Sequence, residues 1–142
     1  WSQYITKNFK DRNLVAIDVL NMKPINGVKF IQGDINSNDV REKIRKIMIG
    51  VDLVLSDIAP NISGIEDIDQ ANFVEISESI LDVCSNLLNL KGILVMKFFN
   101  GSSYDAVLKR LKSLFCEVKT YKPDSSRTKS NEVFFVCIDF KD

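Results

Sequence analysis

The chain has 142 residues, 45% of them apolar and 27% charged, with 19 basic and 19 acidic side chains. These proportions suit a soluble chain with one hydrophobic core, and they exclude disorder, collagen-like repeats and a disulfide-stapled miniprotein. The longest unbroken apolar run, Val133–Ile138, is far short of the ~20 residues of a membrane span, and the balanced charge supplies no global field toward nucleic acid.

Short strand-like runs alternate with helical periods along the chain. Residues 1–10 read as the remnant of a helix with Trp1, Tyr4, Ile5 and Phe9 on one side. LVAID (14–18) and VKFIQGD (28–34) are compact strands, each ending in a carboxylate. Val40, Ile44, Ile47 and Met48 predict a helix over 39–49, and VDLVLSD (51–57) a third strand with an acidic end. From 69 to 90, Phe73, Ile76, Ile80, Leu81, Cys84, Leu87 and Leu88 recur at three and four, an amphipathic helix with Gly92 as its expected cap. ILVMKF (93–98) is a buried strand interrupted by Lys97. Ser103 is placed to cap a helix over 104–115 with Val107, Leu108, Leu111 and Leu114 inward. Strands at 117–122 and 132–140 follow, joined only by a polar loop and so expected to be antiparallel. Strands separated by helices predict an α/β, three-layered, Rossmann-like fold with a mostly parallel sheet.

There is no histidine. Ser-His-Asp and Cys-His hydrolase sites and His-ligated zinc are therefore excluded, and acid–base chemistry falls to carboxylates, lysines or tyrosines. Cys84, Cys116 and Cys137 form no CxxC pair and lie among apolar residues, which predicts buried thiols in a reducing compartment. The chain opens on Trp1 with no charged-then-apolar leader, as the interior of a longer protein would.

In such sheets ligands bind at the carboxyl ends of the strands. Asp18, Asp34 and Asp57 end three successive strands, and Lys97 lies late in a fourth. Each such Asp also suits a turn or helix cap; three at one edge form a constellation. A carboxylate after the second strand of a nucleotide-binding unit accepts hydrogen bonds from ribose hydroxyls. In Asp57-Ile58-Ala59-Pro60-Asn61 the proline fixes the loop beyond the strand. Amino-methyltransferases carry an aromatic ring after the corresponding proline to pack on the target amine. Here Asn61 stands there, which argues for a hydroxyl acceptor. Lys97, flanked by Val95, Met96, Phe98 and Phe99, is either a snorkelling strand-end lysine or one held beside Asp57 and Glu132 for chemistry.

WSQY, AIDVLNM, FIQGD, LVLSDIAPNISG, LVMKFFNG and YKPDSSRTKSNEVF together resemble the FtsJ-like ribose 2′-O-methyltransferases, which methylate RNA with S-adenosylmethionine (SAM). The ribosomal-RNA branch of bacterial and organellar type is the most similar. The resemblance implies that residues 1–142 are a methyltransferase catalytic domain whose N-terminal portion lies upstream. That portion would hold the family's first catalytic Lys, its Gly-rich SAM loop and its first strand. Six strands are therefore expected here, with the place of a seventh between LVAID and VDLVLSD.

By the same resemblance Lys97, Asp57 and Glu132 are catalytic. Trp1 closes the SAM loop, Asp18 holds the SAM ribose, Asp34 the adenine amino group, Val19 and Ile35 flank the adenine, and Asp57 lies near the methionine end. Lys119, Lys122, Arg127 and Lys129 surround the last loop, where Lys122, Arg127 and Lys129 are expected to contact RNA phosphates; solvated surface charge is the plainer reading. The implied reaction is methyl transfer to a ribose 2′-hydroxyl, needing no metal and excluding DNA, which lacks that hydroxyl. The implied partner is ribosomal RNA or a ribosomal particle, with the protein a monomer inside the cell and away from membranes. The same chemistry on tRNA or an mRNA cap, or a silent SAM- or RNA-binding module, are the alternatives.

Overall fold

In the computed structural model, residues 1–123 and 131–141 are described. The elements run α1 (Ser2–Asn8), β1 (Leu14–Asp18), β2 (Val28–Gln32), α2 (Asn38–Ile47), β3 (Val51–Ser56), α3 (Glu66–Leu87), β4 (Leu88–Phe99), α4 (Tyr104–Leu114), β5 (Phe115–Tyr121) and β6 (Glu132–Phe140). They fall into two compact units, Trp1–Ile49 and Gly50–Asp142. Among the described residues no helix is long and apolar enough to cross a membrane.

In the first unit β1 and β2 pair in parallel, Leu14 opposite Val28 through Asp18 opposite Gln32. Val40 and Ile44, four residues apart and so on one face of α2, are buried, as is Ile31 of β2. Asp39 in the first turn and Arg45 and Lys46 in the last complement the dipole of this helix.

The second unit is a four-stranded sheet of order β3-β4-β6-β5. β3 and β4 are parallel, whereas β6 runs antiparallel to both of its neighbours. Alternation decides its core. Leu94, Met96 and Phe98 of β4 lie opposite Cys137, Phe135 and Val133 of β6, and all six are buried. Phe73, Ile80, Leu81 and Cys84 of α3 and Val107 and Leu111 of α4 close over that face. Tilted ring pairs join β4 to β6 through Phe98 and Phe135 at 5.5 Å, and the sheet to α4 through Phe135 and Tyr104 at 5.2 Å. The intervening residues Val95, Lys97 and Phe99 point to the opposite face, in register with Val136, Phe134 and Glu132.

The six expected strands are present, the last pair is antiparallel, and β1 and β3 belong to separate sheets without pairing. Three expectations need correction. Gly92 is not a helix cap: α3 ends at Leu87 and the chain enters β4 at once. The register slips between Val51 and Leu53, Lys91 takes a φ of 65°, and a Cβ on Gly92 would lie 2.7 Å from the Asn89 carbonyl oxygen. Glycine is required there by a bulge. Ser103 occupies the N-cap position of α4 but makes no side-chain cap, because its hydroxyl is turned to Gln70. Cys84 and Cys137 are buried but Cys116 is exposed, since it follows the inward Phe115 on the edge strand β5.

Candidate active site

Asp57 follows the last residue of β3, and Lys97 lies near the carboxyl end of the adjacent parallel strand β4. The pairing of Ser56 with Met96 brings the next residue on each strand side by side. Lys97 Nζ lies 3.0 Å from Asp57 Oδ1. The lysine side chain is 13% exposed and the aspartate 57%, so a mostly buried side chain meets a carboxylate open to water. Glu132, at the start of β6, pairs with Phe99 while Lys97 pairs with Phe134, which puts Glu132 diagonal to Lys97 on the same face. The fold thus brings together Lys97, Asp57 and Glu132. The Lys97 amine ends on the Asp57 carboxylate as well as reaching the strand end.

The loop after Asp57 is fastened by a residue that sequence reasoning missed. Asp69, in the first turns of α3, accepts hydrogen bonds at Oδ1 from the Ser63 N–H and hydroxyl, both at 2.7 Å, and at Oδ2 from the Gly64 N–H at 3.1 Å. The Ser63 N–H, then its hydroxyl, hold the Asp69 carboxyl below its ordinary range against the opposing effect of burial, with the Gly64 N–H adding to them. The only signal in the sequence is a Ser-Gly turn followed by an acid, too common to single out.

In the first unit Asp18 ends β1 and is exposed, its Oδ1 accepting the Leu20 N–H at 2.9 Å. Val19 is 61% exposed. The Gly33 N–H donates to the Asp18 carbonyl at 2.9 Å, keeping the end of β2 beside that of β1. Asp34 lies just past β2, exposed, with its Oδ1 accepting the Asn36 N–H at 2.8 Å, and Ile35 next to it is half-buried. Both aspartates therefore stand at the carboxyl ends of neighbouring parallel strands, each with one carboxylate oxygen engaged in its own turn. Trp1 is the N-cap of α1 and 49% exposed.

Of the expected RNA contacts, Lys122 is exposed just after β5, and Lys119 is exposed and paired with Glu117 at 2.8 Å. Arg127 and Lys129 lie outside the described residues.

Asp57 at the end of β3 beside Lys97 of the neighbouring parallel strand, and in the other unit carboxylates at the ends of two parallel strands, suit the Rossmann-like α/β class of methyltransferase folds. The chain belongs to the FtsJ-like methyltransferase family, whose model matches residues 1–140. It is 39% identical over 157 residues to the ribosomal RNA large subunit methyltransferase E of Albidiferax ferrireducens, covering 99% of this chain and 70% of that protein. A protein of Plasmodium falciparum, described as a ribosomal RNA methyltransferase, superposes with a TM-score of 0.87 at 31% identity, over 99% of this chain and 80% of that one. Human methyltransferase-like protein 13, solved in complex with SAH, shares the fold at a TM-score of 0.67 and 13% identity, over 99% of this chain and 67% of that one.

Proposed function

We propose that this chain transfers a methyl group from SAM to a ribose 2′-hydroxyl of ribosomal RNA. The observation that carries the reading is the Lys97–Asp57 pair at 3.0 Å with Glu132 on the same face of the sheet. The family and the names of its relatives support RNA methylation, and support ribosomal RNA over tRNA or an mRNA cap.

The first unit suits the cofactor. Asp18 and Asp34 each leave a carboxylate oxygen free to accept hydrogen bonds, Asp18 from ribose hydroxyls and Asp34 from the adenine amino group. Val19 and Ile35 supply apolar surface for the base, and Trp1 closes over the cofactor loop. When bound, SAM supplies an electrophilic methyl group on a sulfonium.

A 2′-hydroxyl is a weak nucleophile and must lose its proton as it attacks. Lys97 takes that proton at Nζ, Asp57 fixes the amine, and Glu132 orients the hydroxyl. Burial of the lysine stem keeps the amine from wandering among rotamers. Lys122, with Arg127 and Lys129, contacts RNA phosphates and sets the register of the substrate.

The test is single-turnover transfer of labelled methyl from SAM to unmodified ribosomal RNA, tRNA and capped mRNA, using the full-length protein and its Lys97→Arg variant. Guanidinium keeps the charge but cannot shed its proton near neutral pH. The expected result is transfer to ribosomal RNA, slowed roughly 10²–10⁴-fold by Lys97→Arg. Wild-type rates in the variant would refute Lys97 as the base, and transfer to another RNA alone would refute the substrate.

A further inference from the structure

We infer that Asp69 and Gln70, consecutive on the first turns of α3, are positioning residues that clamp the two loops flanking the Lys97–Asp57 pair. The inference rests on the catalytic reading above. Both side chains are buried, 9% and 8% exposed, although polar groups in such places cost stability unless they are paired. The N-cap of α3, Ile65, makes no side-chain cap, and the Asp69 N–H donates to the Ile65 carbonyl, so the Asp69 carboxylate is left to reach back beyond the helix. Their polar atoms are spent on other segments.

Asp69 takes three hydrogen bonds from Ser63 and Gly64, the far end of the loop that begins at Asp57. Gln70 reaches the other loop, which leaves β4 soon after Lys97. Its Oε1 accepts the Ser103 N–H at 3.2 Å and the Ser103 hydroxyl at 2.5 Å. Gly101 is shaped around the same amide, since a Cβ there would lie 2.1 Å from Gln70 Nε2. That loop is also tied to β6, because the Asn100 N–H donates at 2.8 Å to the carbonyl of Asn131, the neighbour of Glu132. One stretch of helix therefore holds the loop that begins at Asp57 and the loop that follows Lys97, and the second of these is joined in turn to the chain beside Glu132. Proton removal demands such fixed geometry, because a displacement of about 1 Å can cost on the order of 10² in rate.

Asp69→Asn separates this role from mere packing. It keeps shape and volume but offers one acceptor oxygen for donors that now use two, so its NH₂ must face an N–H and at least one bond is lost. In the full-length protein, amide exchange over residues 57–64 should quicken while β5 and β6 stay protected. Single-turnover methyl transfer should fall roughly 10- to 100-fold. Placed on Asp57→Ala, the same change should cost less than about twofold, because the loop then has no carboxylate to aim. Gln70→Ala is the second variant, read by exchange over 100–103 and by rate, and it carries the test alone should Asp69→Asn not fold. Unaltered exchange in the loops, a wild-type rate, or losses that multiply in the double variant would each overturn the clamp. Wild-type rates in both Asp57→Ala and Lys97→Ala would instead defeat the catalytic reading, and the exchange data would still judge the clamp by themselves.

Discussion

The unequal exposure of Lys97 and Asp57 predicts that deleting either partner will not cost the same. Lys97→Met removes the ammonium but keeps a similar apolar stem in the strand. The carboxylate left behind is 57% exposed and water replaces its partner, so the loss should stay within the ~0–1 kcal/mol of an exposed pair. Asp57→Ala does the reverse. It takes the carboxylate 3.0 Å away from an ammonium whose side chain is only 13% exposed, and a buried charged donor short of a partner costs about 1–3 kcal/mol. For a chain of this size that is a melting temperature lowered by roughly 4–12 °C, against less than ~4 °C for Lys97→Met. Scanning calorimetry on both variants, with denaturant midpoints as a check, measures the difference. Equal losses, or a larger loss for Lys97→Met, would mean that the lysine is not confined as described.

Asp18→Ala should weaken SAM binding by about 1.5–3 kcal/mol, the range for hydrogen bonds to a charged group, and unchanged affinity by calorimetric titration would remove Asp18 from the cofactor site. Burial pushes the thiols of Cys84 and Cys137 up to about 12, Cys137 also through its neighbour Cys84, so at neutral pH a thiol reagent should label only Cys116 in the native protein and all three cysteines after denaturation. Because the unfolded chain releases these protons near 9.0 and the folded one does not, stability should be complete below that pH and decline as pH rises from 9 toward 12, as unfolding midpoints across that range would record.

What the sequence made legible was local. LVAID and the strand from Glu132 to Phe140 are found at the residues expected, because alternation or a bounded apolar run leaves no competing reading. The acid at the end of β3 and the lysine in β4 were legible because the strands that carry them were. The junction of α3 with β4 was not legible. Leu87, Leu88 and Leu90 continue the apolar run across it, and no proline or glycine marks the change of period. The start of α3 was hidden for a related reason: Glu66, Asp67 and Ile68 precede the buried face and carry no periodic signal. Asp69 and Gln70 escaped because their partners are set by tertiary geometry. Cys116 was misjudged because its apolar neighbours in sequence say nothing about which strand forms the edge of the sheet.

The place of β6 between β4 and β5 has a consequence for the order in which the protein is made. On a ribosome β3, β4 and β5 emerge first, and β4 and β5 must remain apart, β4 with one edge unpaired and β5 with no strand partner in this sheet. Only when the chain reaches Phe140 can β6 slide between them, pairing with both at once. Glu132 arrives with that strand, opposite Phe99, and so does the carbonyl of Asn131 that fastens the loop after β4. A nascent chain halted before β6 would hold Lys97 and Asp57 yet lack the second carboxylate, Glu132. Completion of the sheet and completion of the proposed catalytic group are thus a single late event in synthesis.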